Sequence, residues 1–439
     1  MKIEQKTIPS GLESIIEDVN NHFNNESSIK ELFRNCFLNT YQTTLRKKVD
    51  GTTFVITGDI PAMWLRDSTA QIRPYLMAAS KDSEVASFIK GVILRQFDYI
   101  LQDPYANAFN EEANSNGHQT DGTTMAPIVW ERKYEVDSLC YPIQLAYLYW
   151  KETGDDSIIS DPFYRVLDVI LSTWKVEQNH EQQSLYRFTR KDVRISDTLI
   201  RNGKGSETAW TGMTWSGFRP SDDACLYGYL IPANMFAVVV LEYAAEMCRY
   251  GKEERLAKES AALSEEIRTG IEKYGTIRHP IYGRVYVYET DGFGRYHIMD
   301  DANVPSLLAA PYLGYCSFDD QTHQNTRKLI LSRDNPYYYE GDAAAGIGSP
   351  HTPDHYIWHI GLAVQGMTAV AKQEKERILN YFLTTDGNEG YMHEGFHADN
   401  PGLFTRNWFA WANSMFSEFV LSMAGKAVRD SPLNKELNR

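Results

Sequence analysis

Acidic side chains set beside tryptophan and glycine in long polar connections have the most chemistry to offer in this sequence. The stretch SETAWTGMTWSGFRPSDD (206–223) supplies Trp210, Trp215 and Phe218 as flat apolar faces and Arg219, Asp222 and Asp223 as polar edges. A pyranose is complementary to that set, with an apolar C–H face and a rim of hydroxyls. Sugar binding is therefore one reading; aromatics that merely pack the loop onto the body of the protein are the other. A second stretch, GNEGYMHEGFHADNPG (387–402), sets Glu394 between His393 and His397. Its glycines let the backbone approach a ligand or adopt positive φ, and Tyr391 and Phe396 can tune the charge state of Glu394. Two carboxylates on separate loops fit glycosidic hydrolysis, in which one acid protonates the leaving oxygen and one base activates water across the ring.

The same stretch raises a metal alternative. His393-Glu394-Gly395-Phe396-His397 matches HExxH, with Glu418 downstream as a third ligand. Zinc binding of that kind needs both histidines on one face of a rigid helix. Gly387, Gly390, Gly395 and the turn Asp399-Asn400-Pro401-Gly402 oppose a helix there. The sequence thus favours no metal and no cofactor.

GDIPAMWLRDST (58–69) places Arg66 and Asp67 beside Trp64, just before a predicted helix that Asp67 or Ser68 could cap. An Arg-Asp pair can hold sugar hydroxyls bidentately, or it can be a structural ion pair at a helix start; both readings stand. WERKYEVDSL (130–139), IMDDANVPSL (298–307) and GIGSPHTPDHYIWH (346–359) combine charge, aromatic and turn residues in the same way. In the last of them His351 is bracketed by turn formers, which predicts exposure on a loop.

These loops need a scaffold. Helical periodicity recurs along the chain, over roughly 12–23, 29–45, 68–81, 85–103, 134–152, 161–176, 223–250, 254–274, 302–314, 319–332, 353–372, 373–384 and 407–424. The segment at 254–274 is amphipathic with a wide charged face and belongs outside. That at 226–248 is apolar almost all round and belongs inside, with Pro232 kinking it or marking its true start. Alternation of exposed and buried helices predicts an all-α (α/α)6 toroid of about twelve helices, with a helical solenoid as the competing architecture. TTFVITG (52–58) and GRVYVYET (283–290) read as small hairpins. The connections 46–67, 103–133, 177–222, 333–352 and 385–406 are long enough to suggest function, and a toroid would gather them at one end. With no linker or charge block in sight, residues 1–439 read as a single catalytic domain.

Bulk properties narrow the partners. A net charge of −14 argues against nucleic acid and anionic membrane. The opening MKIEQKTIPSGLESIIEDVNN lacks the apolar region of a secretory signal, and no apolar run is expected to span a bilayer. Five scattered cysteines read as buried thiols in a reducing compartment, so the expected location is cytoplasmic. No obligate protein partner is evident.

Taken together, GDIPAMWLRDST, DPYANAFN, VWERKYEVDSLCYP, TGMTWSGFRPSDDAC, YGYLIPANMFAVV, MDDANVPSLL, GIGSPHTPD and GYMHEGFH closely resemble glycoside hydrolase family 125, in the family's order and over nearly the full chain. The resemblance implies an (α/α)6 fold and a metal-independent exo-α-1,6-mannosidase that inverts the anomeric carbon and acts on mannose-containing oligosaccharides. Carried onto this chain, it implies Asp222 as general acid, with Asp223 as the neighbour that could be confused with it, and Glu394 as general base. Trp64, Arg66, Asp67, Trp215, Arg219 and His351 are the implied sugar contacts. Such a mechanism calls for a raised pKa at Asp222 and a lower one at Glu394, the latter held down by His393, His397 or arginines. The rivals are a glucosidase or trehalase-like enzyme on the same toroid, which fold alone does not separate, and a carbohydrate-binding protein without catalysis.

Overall fold

The computed structural model describes residues 6–438, so the first five residues of the stretch read for a leader lie outside the described residues. Two rings of helices make up the body. The inner ring comprises Leu65–Ile72 (continued through Arg73–Tyr75 and Leu76–Ala79), Val136–Thr153, Ile231–Tyr250, Ala310–Leu313, His359–Met367 and Ala410–Met423. Successive members touch, Ala410–Met423 returns to Leu65–Ile72, and Ala302 packing on Gly361 closes the remaining gap. The outer ring comprises Ser27–Asn39, Ser83–Gln102, Asp161–Gln178, Glu254–Tyr274, Gln321–Ile330 and Lys372–Thr384.

Side-chain character sorts the rings. Every residue of Leu65–Ile72 and His359–Met367 is buried, as is all of Ala410–Met423 but its last residue. In Lys372–Thr384 only Ile378, Leu379 and Phe382 are buried, the one-sided pattern of a helix whose far face meets water. Ile231–Tyr250 is long and apolar enough to cross a membrane, yet 83% of its most apolar window is buried inside the protein. Pro232 stands at its first turn, where the missing N–H costs nothing, and so marks its start. Most buried apolar side chains from Leu12 to Leu433 belong to one continuous cluster, and Ala62, Trp64 and Ala108 form a small second one. This is the (α/α)6 toroid, and the solenoid alternative falls because the ring closes.

Several expected helices differ in detail; the one expected over 223–250 begins at Ile231, and that over 29–45 leaves the α-helix after Asn39. Within 302–314 only Ala310–Leu313 is helical, because the Asp300 carboxylate accepts the Leu307 and Leu308 N–H groups at 2.9 Å each and so competes with helical bonding. The segment expected from 353 begins at His359, because Tyr356–Trp358 is a strand paired with Gly395–His397. Leu65–Ile72 starts at Leu65 without a side-chain cap, which puts Arg66 and Asp67 inside its first turn. The two hairpin expectations hold: Thr53–Val55 pairs with Leu45–Lys47, and Gly283–Tyr286 with Thr276–His279.

Small sheets fix the loops at the end where the inner helices begin. Met63–Trp64, Ala108–Phe109 and Val129–Glu131 form one, and Tyr229–Leu230, Glu289–Thr290 and Tyr296–His297 a second. Tyr356–Trp358, Gly395–His397 and Phe404–Thr405 form a third.

Candidate active site

The segments that lead into the inner helices converge on a cavity of about 200 Å³. Trp64, Arg66 and Asp67 enter it from the start of Leu65–Ile72. Asp222, with Pro220 and Ser221, comes from the loop ahead of Ile231–Tyr250, and Asn303 from the stretch ahead of Ala310–Leu313. His351 and Trp358 precede His359–Met367, while Glu394, Arg406, Phe409 and Trp411 lead into Ala410–Met423. Amino-terminal helix ends carry partial positive charge, which favours carboxylates gathered there.

Asp222 is presented by a tight turn. Its N–H donates to Arg219 O at 2.9 Å, the Arg219 N–H donates to Asp223 O at 2.8 Å, and its own φ is +67°. Short polar side chains tolerate that left-handed region better than most, at some cost in strain. Arg66 Nη2 lies 3.1 Å from Asp222 Oδ1, the Asn107 amide donates to the same oxygen at 3.2 Å, and Lys133 Nζ donates to the Asp222 main-chain oxygen at 2.7 Å. Burial works to raise the Asp222 pKa. Arg66, a hydrogen bond with Glu135, Lys133 and His351 outweigh burial and hold it well below the ordinary carboxylate range. That corrects the expectation of a raised value. The neighbours of Asp222 are the raised carboxyls: Glu135 is pushed far up by burial with Asp222 and Asp137 alongside, against the pull of Arg66, and Asp137 is raised by burial as well.

Asp223 is a different residue in kind. It does not line the cavity, it precedes the next helix by a whole loop, and its Oδ2 lies 3.4 Å from His351 Nδ1. Burial works to lower the His351 pKa, but Asp223, then Glu394 and Asp222, raise it to about 9. Asp67 is pushed up to about 6 by burial, against the pull of Arg66.

Glu394 directly precedes the strand Gly395–His397, whose pairing with Trp358 and Thr405 fixes its place on the wall. Its nearest cation is Arg406, with Nη1 3.6 Å from Glu394 Oε1 and an ion pair to Asp59 holding the guanidinium from the other side. His393 does not serve it. That ring stacks on Phe404 at 3.7 Å, with Nδ1 3.2 Å from Arg406 O and Nε2 3.1 Å from Asp386 O. His397 lies on the strand, and Glu418 sits inside the barrel against Arg73 and Tyr312. The HExxH match therefore fails on geometry: there is no shared helical face, one ring is committed to main-chain carbonyls, and the third ligand is elsewhere.

Of the implied sugar contacts, Trp64, Arg66, Asp67 and His351 reach the cavity, and Trp215 and Arg219 do not. Arg219 is buried with Nε 2.6 Å from Glu289 Oε1, and Glu289 also accepts the Leu226 and Tyr227 N–H groups. It ties down the loop that carries Asp222. Trp215 is 1% exposed and stacks on His180 at 3.6 Å. It packs so tightly that a Cβ at Gly228 would come within 2.1 Å of its ring, so only glycine fits there. Trp215→Ala is expected to cost about 3–5 kcal/mol of stability, read as a lower Tm, with KM for substrate little changed. A raised KM at unchanged Tm would return Trp215 to the binding site. Trp210 is 56% exposed and Phe218 is buried, both outside the cavity.

Sequence reading passed over Arg406, Trp411 and Phe409. Trp358 and Asn303 lie within runs it flagged without singling them out. The indole N–H groups of Trp64 and Trp411 are buried without a protein acceptor, and Arg66 lies 5.6 Å over the Trp411 ring. Aromatic faces, free donors and two separated carboxylates on one small cavity suit a single sugar ring.

Comparison with known proteins bears on what that ring is. Residues 26–421 match the family described as "Metal-independent alpha-mannosidase (GH125)". A Streptococcus pneumoniae structure from a family of metal-independent alpha mannosidases, in a non-productive complex with alpha-1,6-mannobiose, is 49% identical with a TM-score of 0.92, covering 94% of this chain and 98% of that one. The Meiotically up-regulated gene 157 protein of Schizosaccharomyces pombe is 38% identical over 94% of this chain and 85% of its own length. A Saccharomycopsis fibuligera glucoamylase has a TM-score of 0.59 at 11% identity, covering 100% of this chain and 98% of that one, a likeness of fold alone.

Proposed function

This chain belongs to glycoside hydrolase family 125, the metal-independent α-mannosidases, and on that premise we propose that it is an exo-acting α-1,6-mannosidase that hydrolyses terminal non-reducing mannose with inversion. The observation that carries the reading is that Asp222 and Glu394, far apart in sequence, line one small aromatic-walled cavity. At about 200 Å³ it is smaller than the roughly 300–1,000 Å³ of sites for drug-sized ligands, which favours one terminal sugar over an internal stretch of chain. The complex of the Streptococcus pneumoniae relative supports the α-1,6 linkage.

The reaction is a single displacement. Asp222 gives a proton to the departing glycosidic oxygen while Glu394 takes one from the water that attacks C1 from the other face. Such a pair of carboxyls stands roughly 6.5–9.5 Å apart in inverting enzymes, which leaves room for the water. Arg66 steadies Asp222, and Arg406 steadies Glu394. Trp64, Trp358, Phe409 and Trp411 take the C–H face of the ring, and Asp67, Asn303 and His351 its hydroxyls. We place the enzyme in the cytoplasm, acting on imported N-glycan fragments as one catalytic domain without a protein partner. All five cysteines are free, as a reducing compartment would have them.

The test is NMR of the first-formed anomer from α-1,6-mannobiose in chelator-treated buffer, beside 1,2- and 1,3-linked mannobioses and aryl glucosides. β-Mannose appearing first, from the 1,6-linked substrate, is the expected result. First-formed α-mannose removes inversion, and preference for a glucoside removes the mannosidase specificity.

A further inference from the structure

Behind Asp222, and outside the cavity lining, lie two carboxyls that the reaction above does not use, Glu135 and Asp137. Arg66 touches four carboxyls: Glu135 at 2.5 Å, Asp137 at 3.1 Å, Asp222 at 3.1 Å and Asp67 at 3.6 Å. The neighbouring cations are already committed. Lys133 Nζ is 2.9 Å from Asp197 and 3.8 Å from Glu131, Arg190 is held by Asp121 and Glu131, and His351 faces Asp223. Glu135 and Asp137 are almost wholly buried, whereas the Asp222 side chain keeps 26% of its surface exposed. Four ionised carboxyls around one guanidinium in so dry a place would be too costly, and the cluster keeps a proton.

The contacts say where. Glu135 Oε1 and Asp222 Oδ1 share the Asn107 amide, at 3.4 Å and 3.2 Å, and Arg66 reaches both carboxyls through the two arms of its fork, so the two groups stand side by side. Two carboxyls held that close in a buried site disfavour double ionisation and favour one proton between them. Ser138 Oγ donates to Glu135 Oε2 at 2.8 Å.

Building on the assignment of Asp222 as general acid, we infer that Glu135 is a positioning residue for proton transfer, holding the proton that Asp222 delivers to the leaving oxygen. At rest the Glu135 carboxyl is protonated and donates to the Asp222 carboxylate. Transfer along that bond leaves Glu135 ionised against Arg66 and Ser138, and Asp222 passes the proton on as the C–O bond breaks. Afterwards the pair takes one proton from solvent through the exposed Asp222, matching the one Glu394 gained from water and releases. Burial pushing Glu135 up and Arg66 pulling Asp222 down agree with this resting state. The pair then titrates as a unit.

The experiment is Glu135→Gln and Ser138→Ala, with pH profiles of kcat/KM on α-1,6-mannobiose and on 2,4-dinitrophenyl α-mannoside, whose leaving group needs no proton. Glu135→Gln should lose about 10²-fold or more on mannobiose and about 5-fold or less on the aryl mannoside, with the basic limb moved to lower pH by about one unit. Ser138→Ala removes a donor to the ionised form of Glu135, so its basic limb should move up by roughly 0.5 unit. This conservative change keeps the test open if Glu135→Gln does not fold. A basic limb that stays put in either variant, or equal losses on both substrates, overturns the proposal. Asp222→Asn, run in parallel, separates the two assignments: if it still discriminates between the substrates while Glu135→Gln does not, Glu135 alone is wrong.

Discussion

Asp222→Asn lowers kcat on α-1,6-mannobiose by about 10²–10⁴-fold, with KM little changed. The substitution suits the site. Asparagine keeps an oxygen for Arg66 and Asn107, which approach Asp222 Oδ1 at 3.1 Å and 3.2 Å, and it accepts the φ of +67° as readily as aspartate does. It cannot hold a transferable proton. An interaction made only as the leaving oxygen gains charge lowers kcat and kcat/KM together when it is removed. Because 2,4-dinitrophenolate leaves unaided, the same variant should keep most of its rate on the aryl mannoside. Near-wild-type turnover of mannobiose, or equal losses on the two substrates, would take the acid role from Asp222.

The toroid was legible because burial leaves its mark on each helix separately: the charged face of Glu254–Tyr274 and the all-round apolarity of Ile231–Tyr250 say which ring each joins. Loops carry no such mark. Trp64 and Trp215 sit in equally polar, glycine-containing stretches, yet one walls the cavity and the other stacks on His180 beneath the loop. Composition is the same whichever way a tryptophan turns. Arg219 misled for a related reason, since its partner Glu289 arrives from a distant strand. Arg406 went unnoticed because its acidic partners, Asp59 and Glu394, are not its neighbours in sequence. The charge state of Asp222 was illegible on the same principle: what lowers it is Arg66 and Glu135, brought from two other inner helices' starts. Sequence pointed to Asp222 and Glu394, which the fold brings to one cavity; the protonation of Asp222 is a property of the packed cluster.

Replacing Glu394, the proposed base, gives the other large expected effect. Glu394→Ala is expected to lower hydrolysis of α-mannosides by about 10²–10⁴-fold, because water at neutral pH is a poor nucleophile without a proton acceptor beside it. Alanine also leaves a space next to Arg406, whose Nη1 stood 3.6 Å from the lost carboxylate and would draw an anion into it. Azide needs no deprotonation, so adding it should restore turnover of the aryl mannoside in proportion to its concentration. The product then identifies the face of attack. β-Mannosyl azide places the nucleophile where Glu394 held its water, opposite the bond that Asp222 breaks. α-Mannosyl azide would falsify single displacement, since it requires that face to have been occupied first by an enzyme nucleophile. Hydrolysis at the wild-type rate without azide would show instead that the water's proton goes to another group, with Asp67, a cavity carboxyl pushed up to about 6, the first to test.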